Sequence, residues 1–134
     1  AIVVQTTTGS IPYQIICSKS GYTPLTLATT VTVISVTATI SAKPTCISGG
    51  GSSKISWSVL PVSQIQAGSC TLSGPGLSSN PLSVSPDGSP PNGSPQTATV
   101  PNAKSTYTIS CTTTGGSMVT KSTAVDVRSC WTEF

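Results

Sequence analysis

In the stretch STYTISC, residues 105–111, Tyr107, Ile109 and Cys111 alternate with the small hydroxyl residues Thr106, Thr108 and Ser110. One face of an extended chain then carries Tyr107, Ile109 and Cys111, while Ser and Thr occupy the other face. This period of two is typical of a β-strand with one buried side, and the Gly115-Gly116 pair that follows predicts a turn. The alternation resumes at Val125 and Val127, so the sequence predicts a β-hairpin here.

A second copy of this pattern lies near the N-terminus. The segment YQIIC ending at Cys17, a turn at Gly21 and Thr29–Val33 follow in the same order, and Cys17 lies 94 positions before Cys111. A repeat of this length fits one small all-β unit. At the same offset, Ile2 to Gln5 corresponds to the predicted strand at residues 96–100. We therefore expect residues 1–35 to be the last three strands of an incomplete unit that precedes a complete one.

Composition favours an all-β chain from an oxidising compartment. About a third of the residues are Ser or Thr, 7% are charged, and five are cysteines. Cysteines at this density indicate disulfides and hence an extracellular or cell-surface location. The net charge of +3 is spread along the chain, which predicts no nucleic-acid partner. No apolar run is long enough to span a membrane, and no cofactor is expected.

Residues 36–130 contain seven short segments with strand patterns, separated by turn signals. This number of strands favours a β-sandwich. In the second strand we expect Ile55, Trp57 and Val59 to point inward, and in the third Cys70 and Leu72. Residues 80–95 contain five prolines and are expected to form an edge strand at best. The predicted segments are 37–42, 54–59, 69–72, 80–95, 97–100, 107–111 and 120–127.

Two boundaries of this sandwich are also predicted. Residues 29–42 lack Gly and Pro, so the joint between the units is expected to be short and stiff. Residues 44–52 are predicted to form the turn after the first strand, and residues 131–134 to be a C-terminal tail.

Three stretches resemble the tandem immunoglobulin-like domains of bacterial surface and secreted proteins. They are SGGGSSKISWSV at 48–59, SCTLSG at 69–74 and STYTISCTTTGG at 105–116. The resemblance implies an immunoglobulin-like β-sandwich with a spacer, adhesive or scaffolding role and no activity. The chain departs from the antibody pattern, because Trp57 lies on the second strand and Cys70 on the third.

In this fold the strands of Cys70 and Cys111 are neighbours, which favours a disulfide between them over two buried thiols. Cys46 follows the first strand and Cys130 follows the last, and these strands run parallel, so a second disulfide is predicted. Cys17 is left over. Its partner would lie in the missing part of the first unit or on another chain, where the bond would lock the joint between subunits. Otherwise Cys17 remains a buried free thiol that behaves as a small apolar group.

Catalytic and metal-binding patterns are sparse. The carboxylates Asp87, Asp126 and Glu133 are not paired in sequence, and Asp126 is expected to form a surface ion pair with Arg128. Serine without histidine leaves only a Ser–Lys arrangement for nucleophilic catalysis, and the lysines lie at predicted turns or solvent faces. Cysteine without a C-x-x-C pair or histidine argues against zinc. The chain is predicted not to be an enzyme.

Surface glycans are a candidate modification or ligand. Asn92-Gly93-Ser94 matches the N-glycosylation pattern, and the hydroxyl-rich surface could carry O-linked sugars or simply be solvated. Three scattered aromatic residues, Tyr22, Trp131 and Phe134, would make a poor sugar-binding platform.

The N-terminal segment has an apolar strand face that nothing else in the chain obviously covers. The predicted assembly face comprises Ile2, Val4, Tyr13, Ile15, Val31 and Val33, with Trp131 and Phe134 in the tail as the complementary strand. Such a face and its open edges favour pairing with another chain. The sequence therefore predicts a repeating unit of an extracellular filament or surface rod that joins copies of itself head to tail. The alternatives are an adhesin, a carbohydrate-binding accessory domain of a secreted protein, or a virion decoration.

Overall fold

The structure is a computed structural model, and it describes residues 8–48, 50–90, 96–101 and 103–128. The regular elements of these residues are β-strands, apart from one turn of 3₁₀ helix at Val62–Gln64. The protein is therefore all-β, as predicted. The strands are β1 (Gly9–Cys17), β2 (Leu25–Val33), β3 (Thr37–Lys43), β4 (Cys46–Ile47), β5 (Ser52–Leu60), β6 (Thr71–Ser73), β7 (Leu82–Ser83), β8 (Gln96–Thr99), β9 (Ser105–Thr112) and β10 (Met118–Val127).

The contacts of the chain divide it into two compact units, Ala1–Ser35 and Val36–Phe134. In the first unit, β1 and β2 form an antiparallel hairpin whose register runs from Gly9 opposite Val33 to Cys17 opposite Leu25. Both strands of the predicted N-terminal hairpin are thus present. The predicted strand at Ile2 to Gln5 lies outside the described residues.

The second unit contains two sheets. One has the strand order β3-β5-β8, and the other has the order β4-β10-β9-β6-β7. Neighbouring strands are antiparallel, except that β4 runs parallel to β10 with Cys46 opposite Asp126. The chain passes from one sheet to the other between Lys43 and Cys46. Our prediction that residues 44–52 form only a turn is therefore wrong at Cys46–Ile47, because the backbone of β4 pairs with the end of β10.

The buried side chains of both sheets belong to one apolar cluster, an arrangement consistent with a β-sandwich. Burial alternates along β5, because successive side chains of a strand point to opposite faces. The predicted inward residues Ile55, Trp57 and Val59 are all buried. The opposite sheet contributes Cys70, Leu72, Tyr107, Ile109, Cys111 and Val125, each at most 1% exposed.

The proline-rich excursion forms little regular structure, as expected, but it is anchored to the core. In its described part, residues 80–90, only Leu82–Ser83 is a strand, and Val84 next to it is buried. The Val59 amide donates to the Pro86 carbonyl at 2.7 Å, and the Trp57 indole donates to the Ser85 carbonyl at 2.7 Å. This loop therefore accepts hydrogen bonds that β5 would otherwise leave unmade. Residues 91–95 of the excursion lie outside the described ranges.

Candidate assembly site

The hairpin of the first unit has two chemically different faces. Residues directly opposite one another in an antiparallel pair point to the same side, so the register decides which side chains share a face. One face, called here the apolar hairpin face, carries Ile11, Tyr13, Ile15, Cys17, Leu25, Leu27, Val31 and Val33 together with Gly9 and Thr29. The opposite face carries Ser10, Pro12, Gln14, Ile16, Thr26, Ala28, Thr30 and Thr32.

The apolar hairpin face is largely exposed to solvent. Ile15, Leu25 and Leu27 expose 67%, 64% and 65% of their surfaces, and Val31 exposes 43%. Scattered exposed apolar residues are ordinary, but a contiguous group on one sheet face is typical of an interaction surface. The face thus has the composition of a protein core without the coverage of one.

The predicted assembly residues divide into two groups. Tyr13, Ile15, Val31 and Val33 lie on the apolar hairpin face, whereas Ile2, Val4, Trp131 and Phe134 lie outside the described residues. Sequence reasoning missed Ile11, Leu25 and Leu27. The second strand was expected to begin at Thr29, but β2 begins at Leu25, so the face is longer than predicted. Alternation of Leu25 and Leu27 with Thr26 was the available signal.

The hairpin of the first unit has the same register as the hairpin of β9 and β10. Adding 94 to the residue numbers of three pairs in the first hairpin gives three pairs in the second. Cys17–Leu25 corresponds to Cys111–Val119, Tyr13–Thr29 to Tyr107–Thr123, and Ile11–Val31 to Ser105–Val125. All three resulting pairs are present in the second unit. The sequence repeat is therefore also a repeat of strand pairing.

The two hairpins differ in what covers them. In the second unit, the residues equivalent to Tyr13, Ile15, Cys17 and Val31 are Tyr107, Ile109, Cys111 and Val125, which are at most 1% exposed. They belong to the same buried cluster as side chains of the sheet β3-β5-β8, and β6 pairs with the outer edge of β9. Ile15, Cys17 and Val31 are thus exposed where their equivalents form a core, and Tyr13 is half-buried.

The equivalent cysteines of the two hairpins, Cys17 and Cys111, also differ in their surroundings. Cys70 and Cys111 form a disulfide with a Cα–Cα distance of 4.1 Å, which confirms that prediction. Their partner strands are in register immediately beside the bond, where Thr71 lies opposite Ser110. Cys17, the equivalent of Cys111, is a free and exposed thiol. It is therefore not the buried thiol that was one of its two predicted states.

The second predicted disulfide is only partly described. Cys46 takes part in a disulfide, and the parallel pairing of β4 with β10 agrees with the parallel strands that the prediction required. Cys130 lies outside the described residues, so its pairing with Cys46 stays a prediction.

The two described carboxylates, Asp126 and Asp87, take part in ion pairs and in hydrogen bonds, respectively. Asp126 lies 3.6 Å from both the Lys104 ammonium and the Arg128 guanidinium, which includes the predicted surface pair. The pKa of Asp87 is lowered mainly because its carboxylate accepts a 2.8 Å hydrogen bond from the Ser89 amide, with further hydrogen bonds from the hydroxyls of Ser85 and Ser89. Glu133 lies outside the described residues. Within the described ranges, no three His, Cys, Asp or Glu residues group as metal ligands.

The remaining candidates concern sugars and membranes. Tyr22 is 70% exposed beside the hairpin turn, with the Lys19 ammonium 5.1 Å from its ring centre. Asn92, Trp131 and Phe134 are not among the described residues. No helix in the described part of the chain has the length and apolar character needed to cross a membrane.

Comparison with known proteins finds no relative of this chain. No family model, curated protein or solved structure matches this chain. Function is therefore argued from the geometry of the two hairpins.

Proposed function

We propose that this chain is a structural repeating unit of an extracellular filament or cell-surface rod, in which a neighbouring copy completes the hairpin unit. The single observation that carries the proposal is the contrast between the two hairpins. They share sequence pattern and register, but among the described residues only the second hairpin has a sheet over its apolar side. A partner that covers Ile15, Cys17 and Val31 would give them the buried environment that Ile109, Cys111 and Val125 have in the second unit.

The energetics favour such a partner. A two-stranded hairpin alone is marginally stable in water, because it buries little apolar surface. Covering exposed apolar surface contributes about 25 cal/mol for each Å² removed from water. Ile15, Leu25 and Leu27 each expose roughly two thirds of their surface, so these three side chains supply much of the gain. The hairpin unit is thus stabilised by association.

The geometry of association supports a linear assembly. In the proposed assembly, residues 1–35 of one copy meet the second unit or the C-terminal tail of the next copy. Contacts of this kind are heterologous and continue from subunit to subunit unless the rotation closes a ring. A stable sandwich domain beside each joint would give the assembly its rigidity.

The strand order supports an immunoglobulin-like fold for the second unit. In order of sequence, β3, β5 and β8 correspond to strands A, B and E of such domains, and β6, β9 and β10 to C, F and G. The position of β4 beside β10 fits a first strand that changes sheets. One departure is the disulfide, which joins the neighbouring strands β6 and β9 rather than two opposite sheets. Domains of this architecture commonly serve as spacers and scaffolds.

An extracellular location is part of the proposal. Disulfides persist in oxidising compartments and are rare in the cytosol. The Cys70–Cys111 disulfide and the disulfide-bonded state of Cys46 are compatible with export.

The test compares substitutions on the two faces of the same strand. Ile15 and Ile16 are adjacent and expose 67% and 62% of their surfaces, but they point to opposite sides of the hairpin. We expect the purified chain to form filaments in negative-stain images, Ile15→Thr with Leu27→Thr to abolish them, and Ile16→Thr to preserve them.

Deletions extend this test. Removing residues 1–35 should abolish filaments, and removing residues 131–134 tests the predicted donor tail. Filaments of unchanged width and repeat in both deletion variants would contradict assembly through this joint. A chain that stays monomeric and binds glycans on an array would instead support the adhesin or carbohydrate-binding alternative.

A further inference from the structure

The outward side of the sheet β3-β5-β8 carries hydroxyl groups and two lysines. Its hydroxyl residues include Thr39, Ser41, Ser56, Ser58, Thr97 and Thr99, which the register places on the side that faces away from the core. Apart from Leu60 at one end, every outward residue that the structure describes in these three strands is serine, threonine or lysine. This side of the sheet, called here the hydroxyl face, is therefore polar and carries positive charge.

The positive charge is concentrated at one end of the hydroxyl face. Lys43 and Lys54 are exposed and lie directly opposite one another on β3 and β5. The Cβ atoms of such a pair are about 4.5–5.5 Å apart, and like charges at this distance destabilise a sheet. In the described part of the chain both ion pairs use Asp126 with other cations, and Asp87 accepts a hydrogen bond from a serine amide instead. An anion between the two ammonium groups would relieve their repulsion.

The surroundings of this lysine pair suit a sugar polymer. Thr97 lies opposite Lys54 on its other side, and Ser41 lies opposite Ser56 two residues along the strands. A hydroxyl group both donates and accepts hydrogen bonds, as the hydroxyls of a sugar do. At about 3.3 Å per residue, the hydroxyl residues of β3 extend roughly 13 Å from Lys43 to Thr39. The face thus offers a cationic end and a row of neutral hydrogen-bonding groups beside it.

We propose that the hydroxyl face binds a polysaccharide that carries carboxylates, with one carboxylate held between the ammonium groups of Lys43 and Lys54. The neighbouring sugar hydroxyls form hydrogen bonds with the serine and threonine side chains of β3, β5 and β8. The charges of ligand and face are complementary, since the face has cations and no acidic side chain among its described residues.

The composition of the hydroxyl face favours a polysaccharide over other macromolecules. Nucleic-acid surfaces rely on arginine and on aromatic side chains that stack with bases, and neither occurs among the described outward residues of this sheet. A protein interface has an apolar centre, whereas the described apolar part of this face is Leu60 at its edge. The ligand is therefore polar along its length and anionic.

The experiment uses the full chain and an oligogalacturonate as the probe. The fully methyl-esterified oligomer is the matched ligand, because it has the same sugars without their charges. Isothermal titration calorimetry is done at low ionic strength, since salt screens pairs of exposed charges. We expect the oligogalacturonate to bind, and the ester to bind at least about tenfold more weakly because it forms no ion pairs with the lysines.

Protein variants locate the charges that bind. Lys43→Gln with Lys54→Gln should weaken oligogalacturonate binding at least about tenfold, because both contacts with the carboxylate are lost. Lys43→Arg with Lys54→Arg keeps both charges and should retain binding. The matched control is Lys19→Gln with Lys121→Gln, which removes the same net charge from the hairpin turn and from β10. This control should leave the affinity unchanged.

Three results would overturn the inference. Equal weakening by the control substitutions would reduce the binding to net charge, and equal binding of the methyl ester would remove the role of the carboxylate. Tighter binding of a single-stranded DNA with the same number of charges would indicate a nucleic-acid surface.

Glu133 is the one acidic residue of the sequence outside the described ranges, so its carboxylate is tested directly. Glu133→Gln should leave the affinity for oligogalacturonate unchanged. A tighter affinity would show that a carboxylate of the chain itself occupies the lysine pair, and it would also overturn the inference.

The inference goes beyond the proposed function, because none of its residues lies on the apolar hairpin face. Ile15→Thr with Leu27→Thr should leave oligogalacturonate binding unchanged, and the lysine substitutions should leave filaments intact. Binding that depends on the lysines, in a chain that never forms filaments, would retain the polysaccharide site and refute the filament. Filaments of a chain without such binding would retain the filament and refute the polysaccharide site.

Discussion

Trp57 connects the core to the proline-rich loop through a single side chain. It is 6% exposed, and it belongs to the same buried cluster as Cys70 and Cys111. Its indole nitrogen donates to the Ser85 carbonyl at 2.7 Å. A buried tryptophan needs such a partner, because an unsatisfied N–H in the core costs free energy. Trp57 therefore stabilises both the sheet of β5 and the loop.

We expect Trp57→Ala to lower the free energy of unfolding by about 3–5 kcal/mol, the usual range for removing a large buried aromatic side chain. The measurement is urea unfolding followed by circular dichroism. Met118→Ala is the control, because Met118 is 72% exposed on β10, and it should change stability by no more than about 0.5 kcal/mol. A loss of less than about 1 kcal/mol for Trp57→Ala would be inconsistent with its buried position.

Tyr107 is a buried residue whose ionisation links stability to pH. Its hydroxyl donates to the Pro75 carbonyl at 3.1 Å, and burial raises its pKa despite an opposing hydrogen bond with Ser105. The unfolded chain therefore releases this proton at lower pH than the folded protein does. Its contribution is fully present below about pH 10, the ordinary tyrosine pKa, and is lost as pH rises through the folded value.

The prediction for Tyr107→Phe is a pH-dependent difference from the natural chain. At pH 8 the variant should be about 1 kcal/mol less stable, because the hydrogen bond to Pro75 is lost. Above pH 10 the difference should narrow, because only the natural chain has a buried hydroxyl to ionise. Urea unfolding of both proteins across this range is the measurement. A stability difference that stays constant with pH would show that Tyr107 does not contribute to the loss of stability at alkaline pH.

At the scale of elements, β6 is short and depends on a covalent bond. It has three residues, yet it occupies the edge of β9 and contributes the fully buried Leu72. The Cys70–Cys111 disulfide joins the two strands across 41 positions of sequence. Closing a loop of this length lowers the entropy of the unfolded chain by an amount worth about 4 kcal/mol.

Replacing both cysteines, Cys70→Ala with Cys111→Ala, should therefore cost about 4 kcal/mol of stability. The matched variant Cys17→Ala should leave the unfolding of the second unit unchanged, because Cys17 is free and exposed. Denaturant unfolding monitored by tryptophan fluorescence provides the comparison. Similar midpoints for the double variant and the natural chain would mean that packing alone holds β6 on β9.

At the scale of the whole molecule, the described core is confined to one unit. Every member of the buried apolar cluster lies between residues 42 and 125, and the partly buried side chains packed on it lie between 36 and 127. The described residues of the first unit, 8–35, contribute none of them. The second unit thus contains a core of its own.

We expect a protein of residues 36–134 to fold. Its free energy of unfolding should lie within about 0.5 kcal/mol of that of the second unit in the full chain, because changes away from the core usually alter stability by no more than this. Circular dichroism and urea unfolding measure both. A shortened chain that is unfolded, or less stable by several kcal/mol, would show that residues 1–35 supply part of the core.

The sequence by itself determined the features that depend on alternation. The strands β5, β9 and β10 and the inward side chains of β5 followed from side chains that alternate every second residue, whereas the Cys70–Cys111 disulfide followed from the resemblance to immunoglobulin-like domains, in which the strands of these two cysteines are neighbours. This is possible because a strand's period is a local property. The offset between Cys17 and Cys111 likewise indicated a second hairpin, and the register of β1 and β2 agrees with it.

Only the tertiary structure decided which hairpin has a core. Tyr13, Ile15 and Cys17 have the same spacing as Tyr107, Ile109 and Cys111, yet Ile15 and Cys17 are exposed whereas the second set is buried. Coverage depends on β6 and on the sheet β3-β5-β8, which come from distant parts of the chain. The pairing of β4 with β10 and the anchoring of Ser85 and Pro86 on β5 are non-local for the same reason. Periodicity specifies which side of a strand is apolar, but what packs against that side is specified by contacts far apart in sequence.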